Sequence, residues 1–282
     1  MDNQHDVKIV THMQNDYSVI IENVTFGYDE DRPILKNVSL KIRQGSIVAI
    51  MGGSGCGKTT LLRLISGQIK PQTGSVTVLN HNISSMPNRD ILHLRKRMGM
   101  LFQFGALFTD MSVYENVAFS LKEHTNLPEC LIKKIVAMKL NAVGLFGTEN
   151  MMPQELSGGM ARRIALARSM ALDPELMMYD EPFTGLDPIS LNVSAMLINK
   201  LSNALNQTSI LVTHDIESSF KIVDYIYFMA DGAITSQGTP EQIRNTDNLA
   251  VRQFVDGEIN GPFRFDYPAK LDYSKYLEGY YK

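Results

Sequence analysis

The chain has 282 residues, a net charge of −3, 44% hydrophobic residues and 20% charged residues. This composition is ordinary for a globular protein, and without a long basic block nucleic acid is a poor candidate for a partner. No apolar run approaches the roughly 20 residues of a membrane-spanning helix. The distant cysteines Cys56 and Cys130 favour a reducing compartment.

The first part of the chain predicts strands around one helix. Residues 1–17 are polar and form a predicted flexible leader, without the apolar segment of a signal peptide. Apolar and polar residues then alternate in short strands that break near Gly27, and the alternation resumes ten residues later. The run 47–51 is apolar on both faces, as buried parallel strands are. The predicted strands are 19–26, 38–42, 47–51 and 74–79, and the predicted helix is 59–66.

The second part of the chain alternates helices with buried strands. The stretch 88–150 reads as mainly helical, and a second helix over 156–172 has one apolar face. Two buried strands and a late hairpin follow at 176–179, 210–213 and 226–232. Strands that alternate with helices predict an α/β fold with an open, mostly parallel sheet that binds ligands at the carboxyl ends of its strands.

A glycine-rich loop joins the buried strand 47–51 to the first helix. Its residues Gly52, Gly53, Ser54, Gly55, Cys56, Gly57, Lys58 and Thr59 match the phosphate-binding pattern G-x-x-x-x-G-K-[ST] in the context that the pattern requires. We expect backbone amides of this loop, continuing into Thr60, to hold ATP. Lys58 would bridge the β- and γ-phosphates and the Thr59 hydroxyl would bind Mg²⁺. The alternative is a glycine-rich turn that binds nothing.

Polar side chains follow two other predicted strands, and a further candidate, Gln103, lies within the stretch predicted as mainly helical. Asp180 and Glu181 follow the strand that ends at Tyr179, which predicts a magnesium ligand and a general base for the attacking water. His214 is interpreted as a donor to the γ-phosphate that also orients Glu181, although a lone histidine is more often structural. Gln103 is the candidate γ-phosphate sensor and a further magnesium ligand. A single glutamine is a weak signal, and the assignment of Gln103 depends only on its position between the other motifs along the chain.

Two further features predict how ATP is held. The ring of Tyr28 could stack on adenine, and a simple strand-edge aromatic is equally compatible with the sequence. Ser157, Gly158 and Gly159 open a helix and provide a second anion-binding terminus. One nucleotide does not readily need two such termini from one subunit. The sequence therefore predicts a two-fold dimer in which each ATP lies between one phosphate loop and the partner's Ser157 terminus.

Taken in chain order, these motifs resemble those of an ABC-transporter ATPase over about residues 18–250, which implies an ATPase domain at 18–255. The resemblance implies a P-loop NTPase core with an antiparallel β subdomain and a helical subdomain at about 104–170. It also implies ATP-driven dimer closure, a role for Asp187 at the partner's ATP, and a groove after Gln103 for a membrane subunit. Tyr114 and Phe119 are groove candidates that could equally be core residues. The matching motifs are Gly52–Thr59 (Walker A), Gln103 (Q-loop), Leu156–Gly159 (signature), Asp180–Glu181 (Walker B), Leu186–Asp187 (D-loop), His214 (H-loop) and Tyr28 (A-loop).

The finer resemblance is to the Mla/Mce lipid-transport branch. Met160 stands where most of the family has Gln, and the stretch 101–119 is similar to that branch. This implies a peripheral ATPase on the cytoplasmic face of the bacterial inner membrane, which powers phospholipid movement between inner and outer membranes. The implied partners are an MlaE-like permease, an MlaD-like substrate-binding protein and an MlaB-like STAS protein. The alternative is an importer of amino acids or another small solute, for which Gln is expected at position 160.

Two further segments have no assigned role in the ATP chemistry. Residues 160–163 contribute nothing obvious to the ATP chemistry and serve as a mark of the branch. The tail 256–282 is rich in Tyr and Phe, whereas disordered tails are usually poor in aromatic residues. We therefore predict that the tail docks on its own subunit or on the partner subunit.

Overall fold

The computed structural model describes residues 16–29 and 31–262. The strands are β1 Tyr17–Phe26, β2 Leu35–Arg43, β3 Ile47–Gly52, β4 Thr73–Val78, β5 His81–Asn82, β6 Met98–Leu101, β7 Leu176–Asp180, β8 Thr208–Val212, β9 Tyr225–Ala230 and β10 Ala233–Gly238. The α-helices are α1 Lys58–Ile65, α2 Asn88–Arg95, α3 Val113–His124, α4 Glu129–Ala142, α5 Gly158–Ser169, α6 Pro188–Leu205, α7 Ile216–Ser219, α8 Pro240–Arg244 and α9 Leu249–Asp256.

An antiparallel sheet has the strand order β2-β1-β4-β5. The alternation predicted for β2 is confirmed, because Val38, Leu40 and Ile42 are buried while the residues between them are exposed. β1 is one bulged strand up to Phe26 rather than several short ones, since pairing with β2 and β4 on both sides sustains it through the irregular positions. It begins at Tyr17, the last residue of the predicted leader.

The larger sheet has the order β10-β9-β3-β8-β7-β6 and positions the candidate site. Neighbours from β9 to β6 run parallel, and β10 is added antiparallel through the predicted late hairpin. Every residue of β3, β7 and β8 is buried, including the polar residues Asp180, Thr208 and Ser209 beside the apolar runs that predict these strands. The predicted α/β architecture with a mostly parallel sheet is therefore confirmed, and the carboxyl ends of these strands share one edge.

The mainly helical interpretation of 88–150 is wrong at β6, a strand that pairs parallel with β7. The four residues Met98–Leu101 have no β-branched side chain, so local propensity gives no strand signal. Close packing places the strand instead. A Cβ at Gly99 would lie 2.6 Å from the carbonyl oxygen of Ser169, so only glycine allows this approach to the end of α5.

Helices α3, α4 and α5 pack on one another. In the sequence they lie between β6 and β7. Buried Val117, Leu140 and Ile164 belong to their common core. Helix α5 begins at Gly158 and ends at Ser169, so it is shorter at both ends than the predicted 156–172. A 3₁₀ turn and the N-cap Ser157 precede it, and Met170 caps its C-terminus. Among the described residues, no helix combines the length and apolar character that crossing a membrane requires.

Candidate nucleotide site

The loop between β3 and α1 depends on glycine at two positions. Gly52 has φ +147°, and a Cβ there would lie 2.1 Å from the carbonyl oxygen of Met229. Gly57 has φ +106°, and its Cβ would lie 2.7 Å from a methyl group of Leu35. At Gly53 and Gly55 a Cβ would meet no heavy atom within 4 Å, so the loop faces open space there. None of the side chains that the structure describes caps the start of α1, which leaves its first amides available to an anion.

Lys58 folds back over this loop. Its Nζ donates to the carbonyl oxygens of Gly52 at 2.8 Å and Gly53 at 2.9 Å. The side chain is buried, and it places an ammonium group at the loop that faces the open space. Such a point charge is suited to phosphate oxygens.

Thr59 and Asp180 lie side by side although 121 positions separate them in the chain. The Thr59 hydroxyl donates to Asp180 Oδ1 at 3.2 Å. Burial raises the pKa of Asp180, and the bond from Thr59 partly opposes that rise. A hydroxyl beside one carboxylate fits Mg²⁺, which is usually held by one or two carboxylates together with waters and phosphate oxygens.

Glu181 and His214 form a second pair at the same edge. His214 Nδ1 lies 2.8 Å from Glu181 Oε2, and the backbone amide of His214 donates to the same oxygen at 3.4 Å. The carboxylate is mostly enclosed with 14% of its side chain exposed, whereas 62% of the imidazole is exposed. Glu181 adopts a left-handed backbone with φ +50°, and its amide donates to Val212 of β8. The backbone therefore directs a carboxylate out of the strand end and the histidine fixes its orientation.

Gln103 follows β6, and its backbone is held by a residue that sequence reasoning missed. Arg162 donates to the carbonyl oxygens of Phe102 and Gln103, and also to that of Thr184 at 3.0 Å. The interpretation of residues 160–163 as chemically silent is thus too narrow, since Arg162 contacts two segments of the site. The partners of Arg162 are backbone carbonyls, which every residue has. No spacing or residue pattern in the sequence therefore identifies these contacts.

Tyr28 lies exposed at the end of the antiparallel sheet. Its ring is 56% exposed and packs edge-on against Phe26, with 5.1 Å between ring centroids. Its hydroxyl accepts a hydrogen bond from Arg63 of α1 at 2.9 Å. The sequence does not decide between a stacking ring and a strand-edge aromatic, and this fixed, exposed ring is compatible with stacking.

Ser157 and Asp187 cap neighbouring helices. The Ser157 hydroxyl accepts from the amide of Met160 at 3.3 Å, and within residues 16–29 and 31–262 no heavy atom lies within 4 Å of a Cβ built at Gly158. Asp187 accepts from the amides of Ile189 and Ser190, and the hydrogen bonds of Ser190 lower its pKa. A Cβ at Gly159 would lie 2.9 Å from the Ser190 hydroxyl, so the two caps are adjacent.

The groove candidates Tyr114 and Phe119 separate in the structure. Phe119 packs on Phe108 with 4.8 Å between ring centroids, and both line a cleft of about 750 Å³ beside β6. Tyr114 does not line this cleft. Its hydroxyl donates to Glu129 at 2.6 Å, and burial together with this carboxylate raises its pKa to about 12.

Cys56 should react slowly with iodoacetamide, because it is buried and burial raises its thiol pKa, an effect that Lys58 only partly opposes. The reactive thiolate is scarce below that pKa, so the rate should still be rising above pH 9. Exposed Cys130 is the internal control, and we expect it to react at least about tenfold faster at pH 8. ATP should slow labelling of Cys56 and leave Cys130 unchanged, as measured by peptide mass spectrometry. Equal labelling of Cys56 with and without ATP would contradict its place in the nucleotide site.

Comparison with known proteins assigns the family. The ABC transporter family matches residues 35–184. The intermembrane phospholipid transport system ATP-binding protein MlaF of Haemophilus influenzae is 54% identical over 93% of this chain and 99% of its own length. The Escherichia coli K12 protein of the same name is 49% identical over 88% of this chain and 93% of its own length. A dimeric ATP-binding cassette solved with ADP and Pi superposes with a TM-score of 0.72 at 30% identity, covering 79% of this chain and 98% of that one. The chain therefore belongs to the ABC transporter family, and its fold is that of the family's nucleotide-binding cassettes.

Proposed function

We propose that this chain is the ATP-hydrolysing subunit of a membrane complex that moves phospholipids between the inner and outer membranes and so maintains outer-membrane lipid asymmetry. The observation that carries the hydrolysis is the Glu181–His214 pair beside the Thr59–Asp180 pair at one sheet edge. The phospholipid cargo is supported by the identity of more than half of the aligned residues with MlaF of H. influenzae.

Within one subunit the described residues divide the work on ATP. Tyr28 stacks on adenine, and the loop amides from Gly52 to Thr60 surround the phosphates, with Lys58 between the β- and γ-groups. Thr59, Asp180 and Gln103 would hold Mg²⁺, which when bound neutralises the charge that develops on the phosphates. Glu181 accepts the proton of the attacking water, while His214 holds that carboxylate and donates to the γ-phosphate.

The site needs a second copy of the chain to be complete. Ser157, Gly158, Gly159 and Asp187 would reach the ATP of the partner copy, because a Cβ at Gly158 meets none of the described atoms within 4 Å and Asp187 caps the neighbouring helix terminus. The dimeric arrangement of the similar cassette supports this proposal. ATP would hold the two copies closed, and hydrolysis would let them open.

The complex would also contain an MlaE-like permease, an MlaD-like substrate-binding protein and an MlaB-like STAS protein, with this chain on the cytoplasmic face of the inner membrane. The cleft that Phe119 lines is the proposed contact for the permease. Residues 263–282, most of the aromatic tail, lie outside the described residues, as do residues 1–15 of the leader. The docking of the tail on its own or the partner subunit stays a prediction.

The test is to purify the tagged full-length chain from membranes in mild detergent and to identify the bound proteins and lipids by mass spectrometry. We expect co-purification of a permease together with phospholipid. The Lys58→Ala variant should retain the same partners while losing ATP hydrolysis, which shows that recovery reports assembly rather than turnover. A permease with a bound amino acid or other small solute, and no enriched phospholipid, would support the solute-import alternative instead.

A further inference from the structure

The guanidinium group of Arg162 is buried, and within the described part of the chain it has no acidic partner. The residue is 8% exposed, and none of the ion pairs within residues 16–29 and 31–262 involves it. Burial lowers its pKa, which reflects the cost of removing this charge from water. Buried cations are usually paired with carboxylates, so a cation that bonds only to backbone carbonyls is informative.

The carbonyls that Arg162 contacts come from two different segments. One Nη donates to Phe102 at 3.1 Å and to Gln103, immediately after β6. The other Nη donates to Thr184 at 3.0 Å, three residues beyond Glu181. The two segments leave neighbouring parallel strands, β6 and β7, and one planar guanidinium spans the gap between them.

Both segments contain or contact a residue that we assign to ATP hydrolysis, namely Glu181 and Gln103. The Thr184 hydroxyl lies 3.5 Å from Glu181 Oε2, and the same oxygen meets His214 Nδ1 at 2.8 Å. Gln103 holds Arg162 through its backbone carbonyl, which leaves its side-chain amide for the γ-phosphate. A continuous set of contacts therefore runs from the γ-phosphate sensor through Arg162 to the general base.

Arg162 itself stands in the first half of α5, the helix that Ser157 caps. The terminus of this helix is directed at the partner's ATP in the proposed dimer, whereas Gln103 and Glu181 act on the chain's own ATP. A shift of the Gln103 backbone on engaging phosphate would move the guanidinium and with it α5. The contacts thus connect one ATP site mechanically to the other.

We propose that Arg162 is a positioning residue that holds Gln103 and Glu181 in register and couples the signature helix to the γ-phosphate of the chain's own ATP. This inference rests on the proposed ATPase function. It predicts that loss of the planar guanidinium, with its two Nη donors, impairs closure of the dimer and hydrolysis more than it impairs the initial binding of ATP.

The test compares Arg162→Lys with Arg163→Lys in the full-length chain. Arg163 is the next residue on the same helix, and its guanidinium donates to Val143 in the loop after α4 rather than to either site segment. Lysine keeps the charge in both variants and removes the planar fork. Arg162→Gln, which also removes the charge, serves as a second variant.

For Arg162→Lys we expect kcat of the purified complex to fall by at least about tenfold, since small misplacements of reacting groups have such effects. KM and the Kd for ATP of the isolated chain should stay within about twofold, because the glycine-rich loop is untouched. In a Glu181→Gln background, the ATP concentration needed to form the closed dimer should rise about tenfold or more. Arg163→Lys should match the parent protein in all of these measurements.

The outcomes separate the two proposals. If the parent chain neither hydrolyses ATP nor dimerises with it, the proposed function fails. If the parent does both and Arg162→Lys behaves like Arg163→Lys, the coupling role fails. A loss of kcat accompanied by an equal loss of ATP affinity and a matching drop in Tm, in both Arg162 variants, would reduce Arg162 to a structural residue and also overturn the inference.

Discussion

Replacement of Glu181 by glutamine is expected to lower the ATPase rate by about 10²–10⁴-fold, the usual contribution of a general base. Glutamine has the same shape, and its amide oxygen can still accept a hydrogen bond from His214, which lies 2.8 Å from the carboxylate. ATP binding should therefore persist. The ATP-bound chain should accumulate as a closed dimer, measured by light scattering together with the quantity of unhydrolysed nucleotide retained per chain.

Glu175→Gln is the matched control for this variant. Glu175 immediately precedes β7, at the opposite end from Glu181, and it pairs with exposed Arg97. Its replacement removes one surface ion pair and should leave the rate of hydrolysis unchanged. Normal turnover in the Glu181 variant would overturn the general-base assignment, whatever its effect on dimerisation.

Replacement of Asp180 by asparagine is expected to abolish magnesium-dependent hydrolysis without destabilising the nucleotide-free protein. Burial raises the pKa of Asp180, so its ionised form is less favourable in the folded chain than in the unfolded chain. This penalty is present at neutral pH and is relieved as the pH falls through the raised pKa. A neutral amide avoids the penalty, so the Tm without nucleotide should be equal or higher.

The diagnostic measurement is the rise in Tm produced by ATP with magnesium compared with ATP in EDTA. A ligand present at about 100 times its Kd adds about 2.7 kcal/mol to the free energy of unfolding. We expect the magnesium-specific part of this stabilisation to disappear in Asp180→Asn. Asp224→Asn is the control, because Asp224 accepts from Ile47 at the amino end of the sheet, away from the loop. A magnesium-dependent rise in Tm that survives in the Asp180 variant would contradict the assignment.

The core of the fold could be predicted because its signals are local. The buried strands β3, β7 and β8 each contain a continuous apolar run, and β2 alternates between buried and exposed residues from Val38 onwards. The glycines of the loop lie at a strand-to-helix junction, and the positive φ of +106° at Gly57 favours glycine there. Such patterns depend on the backbone and its nearest neighbours, so they can be recognised in the sequence.

The features that sequence reasoning missed depend on distant partners. β6 is a strand because β7 pairs with it and the end of α5 packs against Gly99, and both of these partners lie far away in the chain. Arg162 reaches carbonyls about 60 and 22 positions away. Every residue has a backbone carbonyl, so the identity of residues 102, 103 and 184 does not indicate that they contact Arg162.

The left-handed backbone of Glu181 has a consequence for how this protein can change over time. A residue other than glycine in this conformation costs about 1–2 kcal/mol, and asparagine and glycine tolerate it best. Selection for thermal stability alone would therefore favour residues at position 181 that cannot accept a proton. A glutamate in this conformation is therefore expected of a chain that must turn over ATP, whereas a subunit that only had to fold and bind ATP would be more stable with another residue here.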